Sequence, residues 1–384
     1  MSRTFLASLS PLALLLASCS HAAAGDSASE RTGQETLAGL QFDDMATFDE
    51  PWAMAFLPGT PYALVTEKKG VLKLWQAGHP ARDVTGVPHV DYGGQGGLGD
   101  VQPSPHFAQD HTIYLSWAEA GPNDTRGAAV GSARLELDGA NPRLDGLNIL
   151  WRQAPKTTGY GQYAHRITFS PDGKYLFISS GERQKKTPAQ DLSGNLGKIV
   201  RLNLDGSPAA GNPFARKGGV TAQIWSLGHR NPLGLRFDLV GRLWDIEHGP
   251  RGGDELNLVK PGRNYGWPLV SNGDDYDGRP IPRHSTRPDL AAPAISWTPV
   301  IGPGDMIFVS SDKFPSWRNN ALVAGLVCQC LVRVAFDGAR AREVERIPMG
   351  ARMREVAQGP DGAIWVLEDG EDARMRRIEP KSAN

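Results

Sequence analysis

The chain has 384 residues, and its 41 Lys plus Arg are matched by 42 Asp plus Glu for a formal net charge of -1. That balance gives no electrostatic reason to expect nucleic acid or a membrane surface as the main partner. The 45 Gly and 29 Pro are too many turn formers for a helical bundle, 40% apolar residues with 10 Trp are too much core material for a disordered chain, and 3 Cys are too few for a disulfide framework.

The first element is an export signal. Arg3 supplies a positive start, and Phe5 to Ala17 forms an apolar run too short for a comfortable membrane span. Leu16-Ala17-Ser18-Cys19 resembles a bacterial lipobox, in which Cys19 becomes the acylated first residue; ordinary cleavage after Ala22, Ala23 or Ala24 is the alternative. Ser20 in the next position is compatible with outer-membrane sorting. Residues 1–19 are thus expected to be a signal with lipobox, 20–35 a small, polar tether, and 36–384 one domain in the periplasm.

Along that domain one phrase recurs: a loop with Pro, Asp or Gly, then a short alternating strand. It stands at 57–75, 106–119, 170–182, 238–249, 313–326 and 359–380. Aspartate-glycine fits a tight turn, and period-two alternation fits a half-buried strand. Six units at ~60 residues each match the scale of four-stranded propeller blades with loops. The pattern predicts an all-β, six-bladed β-propeller, with 41–48 supplying a strand that closes the ring and a pair of β-sandwiches as the runner-up. The excursions 183–235 and 250–300 are expected to be insertions between blades.

The unusual residues sit in loops. GGQGGLGDV (93–101) carries Gln95, SLGHRNPLGLRFD (226–238) carries His229, Arg230 and Asn231, EHGPRGGDELNLVKPGRNYGWP (247–268) mixes glycines, carboxylates and aromatics, and GARMREV (350–356) puts Arg352 and Arg354 on one face of a strand. Several arginines on propeller loops suit a ligand bearing carboxylates.

HRNPLGLRFD, HGPRGGDELN and NYGWP, in this order, resemble the soluble quinoprotein glucose/sorbosone and aldose sugar dehydrogenases, over about Phe48 to Ile378. The resemblance implies a six-bladed propeller that uses pyrroloquinoline quinone (PQQ) and calcium to oxidise aldoses at C1 and passes electrons to a respiratory acceptor. It implies that Gln95 lies beside the quinone, that Arg230 and Asn231 face its reactive carbonyls, that Arg352 and Arg354 hold its carboxylates, and that Trp297 lines the pocket. The carbonyls of Gly249 and Pro250 would ligate a calcium on the quinone, and Glu255 with the Tyr265 carbonyl a second, structural calcium. Oxygen donors of this kind suit that hard cation.

The family's base is a histidine in a phrase like H-[FY]-x-x-R-[IL]-x-F-x-P-D-G. Here that phrase is GQYAHRITFSPDG (161–173), and the histidine position falls on Gln162. Glutamine has no basicity near neutral pH. His165 lies three residues on, an odd offset that points a strand residue to the opposite face unless the chain bends. A second departure is the absence of the family's lysine near Val327. Cys328 and Cys330 are expected to be small buried residues rather than a disulfide, no zinc spacing links the histidines, and GDDYDG (273–278) reads as a polar turn. Gln162 leaves open a propeller that binds sugar, quinone or a partner protein without turnover. A calcium-propeller hydrolase would need a carboxylate-rich centre where this chain offers cations.

Overall fold

A computed structural model describes residues 36–137 and 141–381; the signal, lipobox and tether lie outside the described residues. Six four-stranded antiparallel sheets form the ring. Their first strands are Pro51–Phe56, Leu98–Pro103, Ala164–Phe169, Pro232–Phe237, Pro303–Phe308 and Met353–Gln358. These pack against one another from blade to blade around the axis. The predicted six-bladed propeller is therefore the observed fold.

Each of the six repeated phrases supplies the second strand of a blade: Tyr62–Glu67, Thr112–Ala120, Tyr175–Ser180, Leu243–Glu247, Ala321–Gly325 and Ile364–Glu368. All are almost wholly buried, because both faces of a blade pack on neighbouring blades. Strand Leu40–Phe48 pairs antiparallel with Ala373–Pro380 and completes the sheet begun by Met353–Gln358. Closing the last blade with a strand from the other end of the chain removes an open edge, as 41–48 was expected to do.

The long excursions differ from the expectation. They lie within blades, not between them: Lys198–Asn203 and Ile224–Leu227 finish the third blade inside 183–235, and Asp254–Leu258 and Ile295–Trp297 finish the fourth inside 250–300. Loops connecting outer strands can grow without moving the axis. Among the described residues no helix is long and apolar enough to cross a membrane.

Cys328 and Cys330 form a disulfide, contrary to expectation. The strand argument fails because the pair spans the turn after Ala321–Gly325, where Gln329 has a left-handed backbone (φ 51°). Their Cα atoms stand 5.2 Å apart, inside the range a disulfide bridges.

Candidate active site

The ends at which the inner strands begin converge on a cavity of about 260 Å³. Trp52 enters from the first inner strand, Gly94 and Gln95 from the loop before the second, Ala164 and His165 from the third, Asn231 and Leu233 from the fourth, and Arg352 and Arg354 from the sixth. Lys68, Tyr163, His248, Leu326 and Asp369 complete the wall. Adjacent inner strands each present their first residues at one mouth, so residues far apart in sequence meet there.

Gln95, Asn231, Arg352 and Arg354 are therefore brought together as expected. Gln95 is fixed at both ends: its backbone N–H donates to the Tyr160 carbonyl, and its Oε1 accepts the Gln162 backbone N–H at 2.6 Å. Arg352 and Arg354, two apart on one strand face, share Asp369; Arg352 Nε is 2.9 Å from Oδ2, and Arg354 Nε and Nη2 are 2.9 and 2.8 Å from Oδ1. Burial opposes ionisation of Asp369, but the two guanidiniums outweigh it and hold the carboxyl below its usual range. The missing lysine near Val327 has a counterpart from another blade. Lys68, in the turn after the second strand of the first blade, lines the cavity with Nζ 3.0 Å from Glu50.

Three expected residues sit elsewhere. Arg230 lines a smaller pocket with Gly249, Pro250, Glu255 and Tyr265; its Nη1 donates to the His248 carbonyl and its Nη2 to the Tyr276 hydroxyl, both at 3.1 Å. Trp297 lies in the outermost strand of its blade, packed in the core with Nε1 donating to Glu343 at 2.7 Å. Its register with Asp254 leaves it far out along the sheet, and Trp52 is the indole in the cavity. Gln162 does not line the cavity. With its amide oriented so that both ends find a partner, its nitrogen donates to Glu182 and its oxygen accepts from Arg230 Nη1 and Nη2 at 3.1 and 2.9 Å.

His165 is in the cavity instead. The alternation rule fails because Gln162, Ala164 and His165 all have left-handed backbones (φ 54°, 56° and 57°), and the pairing register slips between Ala164 and Ile167. The bend turns the glutamine away and brings the imidazole in. Non-glycine residues in this region are strained by about 1 kcal/mol each, and such strain gathers at functional sites.

Beneath the cavity Arg166, fully buried, donates to Glu355 at 2.9 Å and to the carbonyls of Leu233 and Gly304, with Asp100 and Asp305 at 3.5 and 3.4 Å. Its guanidinium also lies 4.1 Å from the Trp52 ring centroid.

Behind the smaller pocket His229, Asp245 and Glu247 bring potential ligand atoms within 4.8 Å of one another. Here the imidazole itself provides the positive charge. Burial alone would depress its pKa, yet Asp245 and Glu247, each 3.1 Å from Nδ1, outweigh this and push it up to about 9. A histidine raised in the folded state contributes stability that is complete below its ordinary value of about 6.5 and lost as pH rises through the folded value. The urea midpoint is therefore expected to fall between pH 6.5 and 9.5, and a His229→Asn variant to lack that fall; equal slopes in both would contradict the assignment.

The carbonyls of Gly249 and Pro250 accept no hydrogen bond among the described residues, and Pro250 is buried. Carbonyls without a donor, one on a buried residue and one on a half-buried residue, offer the oxygens that suit a hard cation, so this pair fits one. Glu255 and the Tyr265 carbonyl fit one less well. The buried His284 imidazole stands between them, with Nε2 donating to the Tyr265 carbonyl at 3.1 Å and Nδ1 3.8 Å from Glu255. The pocket there has about 10 Å³ of free space. Burial, with Glu247 and Asp245, pushes Glu255 well above the usual carboxylate range.

The ring of six blades and its cavity of paired arginines define a propeller that can seat a small polyanion beside a neutral imidazole. Comparison with known proteins sets this in a family. The Glucose / Sorbosone dehydrogenase family profile matches residues 48–377. "Aldose sugar dehydrogenase YliI" of Escherichia coli is 39% identical over 343 residues, covering 87% of this chain and 91% of that protein. "Quinoprotein glucose dehydrogenase B" of Acinetobacter calcoaceticus is 30% identical over 407 residues, covering 85% and 84%. The structure of the PQQ-bound form of aldose sugar dehydrogenase from Streptomyces coelicolor superposes with a TM-score of 0.73 at 26% identity, covering 89% of this chain and 98% of that one. The chain belongs to the glucose/sorbosone dehydrogenase family and is an oxidoreductase of the sugar dehydrogenase type.

The residues missed by sequence reasoning are Trp52, Lys68, His248 and Asp369. Lys68 and Asp369 stood inside repeated strand phrases and His248 inside a loop motif, but none carried a signal of a cavity role.

Proposed function

We propose that this protein is a PQQ-dependent dehydrogenase that oxidises aldose sugars at C1. The observation that carries the reading is the cation-lined cavity, in which Arg352, Arg354 and Lys68 face inward beside Gln95 and Asn231. The family match and the PQQ-bound relative support it. When bound, the quinone supplies a two-electron acceptor for hydride. The chain's own residues do the rest. Arg352 and Arg354 bind carboxylates in a geometry Asp369 has already fixed, so little side-chain freedom is lost on binding. Asn231 and Gln95 orient polar groups, and the walls of Trp52, Leu233 and Leu326 exclude water.

Calcium is part of the proposal, held through Gly249 and Pro250. The loaded protein is expected to contain one calcium per chain by mass spectrometry of the metal, because His284 fills the space between Glu255 and Tyr265. Two ions per chain would mean that the imidazole swings aside.

The test of the function is reconstitution of the mature chain with PQQ and calcium, followed by dye reduction with a panel of aldoses. Reduction above the cofactor-free control is expected. A second reading, a propeller that binds quinone or sugar without turnover, is favoured by Gln162 at the base position; tight binding with no dye reduction would establish it. Export and acylation at Cys19, with delivery of electrons to a respiratory acceptor, complete the proposal. They rest on the N-terminal sequence and are tested by labelled palmitate with a Cys19→Ser control.

A further inference from the structure

We infer that His165, not the residue at the family's base position, accepts the sugar hydroxyl proton. The inference rests on the quinone-dependent reading above. In the step, the O1–H bond of the aldose breaks with its proton going to His165 Nε2. The C1–H bond breaks with the hydrogen and its electron pair leaving together as hydride to the quinone, and C1–O1 becomes a carbonyl, so the product is the lactone.

The surroundings of His165 are built for that ring. Ser116 Oγ lies 2.7 Å from Nδ1 and already accepts the Asp100 backbone N–H at 2.8 Å. In the tautomer in which Nδ1–H donates to the second lone pair of that oxygen, Nε2 is the unprotonated nitrogen, and the proposal requires this tautomer. Among the described residues no hydrogen bond engages Nε2. The Trp52 indole stacks on the imidazole at 5.0 Å between centroids and 11° between planes, which fixes its tilt. Glycine at position 99 is required as well, because a Cβ there would overlap His165 Cε1 and Nδ1. The left-handed backbone at Ala164 and His165 completes the placement.

Burial, with Arg166 and Arg183 nearby, pushes the His165 pKa down to about 3, so the ring is neutral across the working range and, among the protein groups alone, a weak base. Of the two cations, Arg166 is compensated by Asp100, Asp305 and Glu355. A cofactor bearing carboxylates, seated on Arg352 and Arg354, would act in the opposite direction and raise that basicity. The other imidazole in the cavity, His248, is less suited. Its Nε2 is committed to the Pro303 carbonyl at 2.7 Å, and it adjoins Arg230 and the Gly249–Pro250 pair, where a dication would oppose protonation.

The test uses the full mature chain with His165→Gly, since glycine keeps the left-handed backbone and opens space for added imidazole. PQQ affinity, read by tryptophan quenching, is expected to stay within about threefold of the parent. Removal of a general base is expected to lower kcat about 10²- to 10⁴-fold with little change in KM. Free imidazole should restore turnover, with rates that rise with basicity across similar-sized substituted imidazoles. Merely structural filling would give rescue independent of basicity. A kcat within threefold of the parent, rescue insensitive to basicity, or rescue seen in His248→Gly but not His165→Gly would overturn the inference. A readout independent of turnover is 15N NMR of histidine-labelled apoprotein at pH 7. It is expected to show His165 protonated at Nδ1 and bare at Nε2, and the reverse tautomer would overturn the assignment. If the parent chain itself fails to bind PQQ, the functional reading fails, whatever the tautomer.

Discussion

Arg166→Met is expected to destabilise the protein by about 3–5 kcal/mol, the range for breaking a buried ion pair on one side. Arg166 is surrounded by Asp100, Asp305 and Glu355, which come from three other inner strands, and it also donates to two carbonyls. Arg236 reaches Asp305 at 3.0 Å and is the remaining cation of the group. Without Arg166, three buried carboxylates share one guanidinium at the axis, where the blades meet. Burial already pushes Glu355 well above its usual range and raises Asp305, so both resist ionisation further in the variant. Carboxyls raised in the folded state bind protons that the unfolded chain releases, so stability is regained as pH falls. The penalty should shrink between pH 8 and pH 5, and Arg166→Met/Glu355→Gln should recover part of it at pH 8. Urea unfolding followed by tryptophan fluorescence measures all three effects. A loss below 1 kcal/mol, or one that does not vary with pH, would show that Arg166 is not the counter-charge of the axis.

The same axis explains what the sequence could and could not reveal. The connection into each blade's second strand carries aspartate, glycine or proline ahead of a short apolar run, so all six such strands were readable. Third and fourth strands follow loops of any length, which is why 183–235 and 250–300 looked like insertions between blades. Gln95, Asn231, Arg352 and Arg354 were legible because they sit in recognisable phrases at the beginnings of inner strands. Trp52 and Lys68 enter the cavity from the first blade and Asp369 from the last, and no local pattern in the sequence announces that they do. His165 was misjudged by a rule that holds only for extended backbone, and three left-handed residues in four break it. The same omission hid the disulfide, since Cys328 and Cys330 flank a turn residue with positive φ rather than lying along a strand. Arg230 was assigned to the cavity from its motif, yet it is turned by Gln162, the His248 carbonyl and Tyr276 toward the adjoining pocket.

Replacing both Arg352 and Arg354 with alanine is expected to weaken PQQ binding by at least about 100-fold, taking roughly 1.5–3 kcal/mol for each charge-assisted bond lost. The reasoning turns on Asp369. With the arginines present its carboxylate is a template that holds both guanidiniums toward the cavity, and its single negative charge leaves the pair net positive. With the arginines gone it becomes a partly buried, unpaired anion facing a ligand that also bears carboxylates. Attraction is thereby replaced by repulsion, so the double variant should lose more than its two hydrogen bonds. Adding Asp369→Asn to the double variant should recover part of the affinity, which no purely steric account predicts. Lysine at both positions should recover less than the native pair, because an ammonium cannot offer the two-pronged contact. Native affinity should also fall with ionic strength, since Arg352 is about half exposed, whereas the double variant should show a flatter dependence. Quenching titrations at two salt concentrations measure these outcomes together. Affinity of the double variant within threefold of native, at either salt, would mean that the cavity seats its ligand by groups other than this arginine pair.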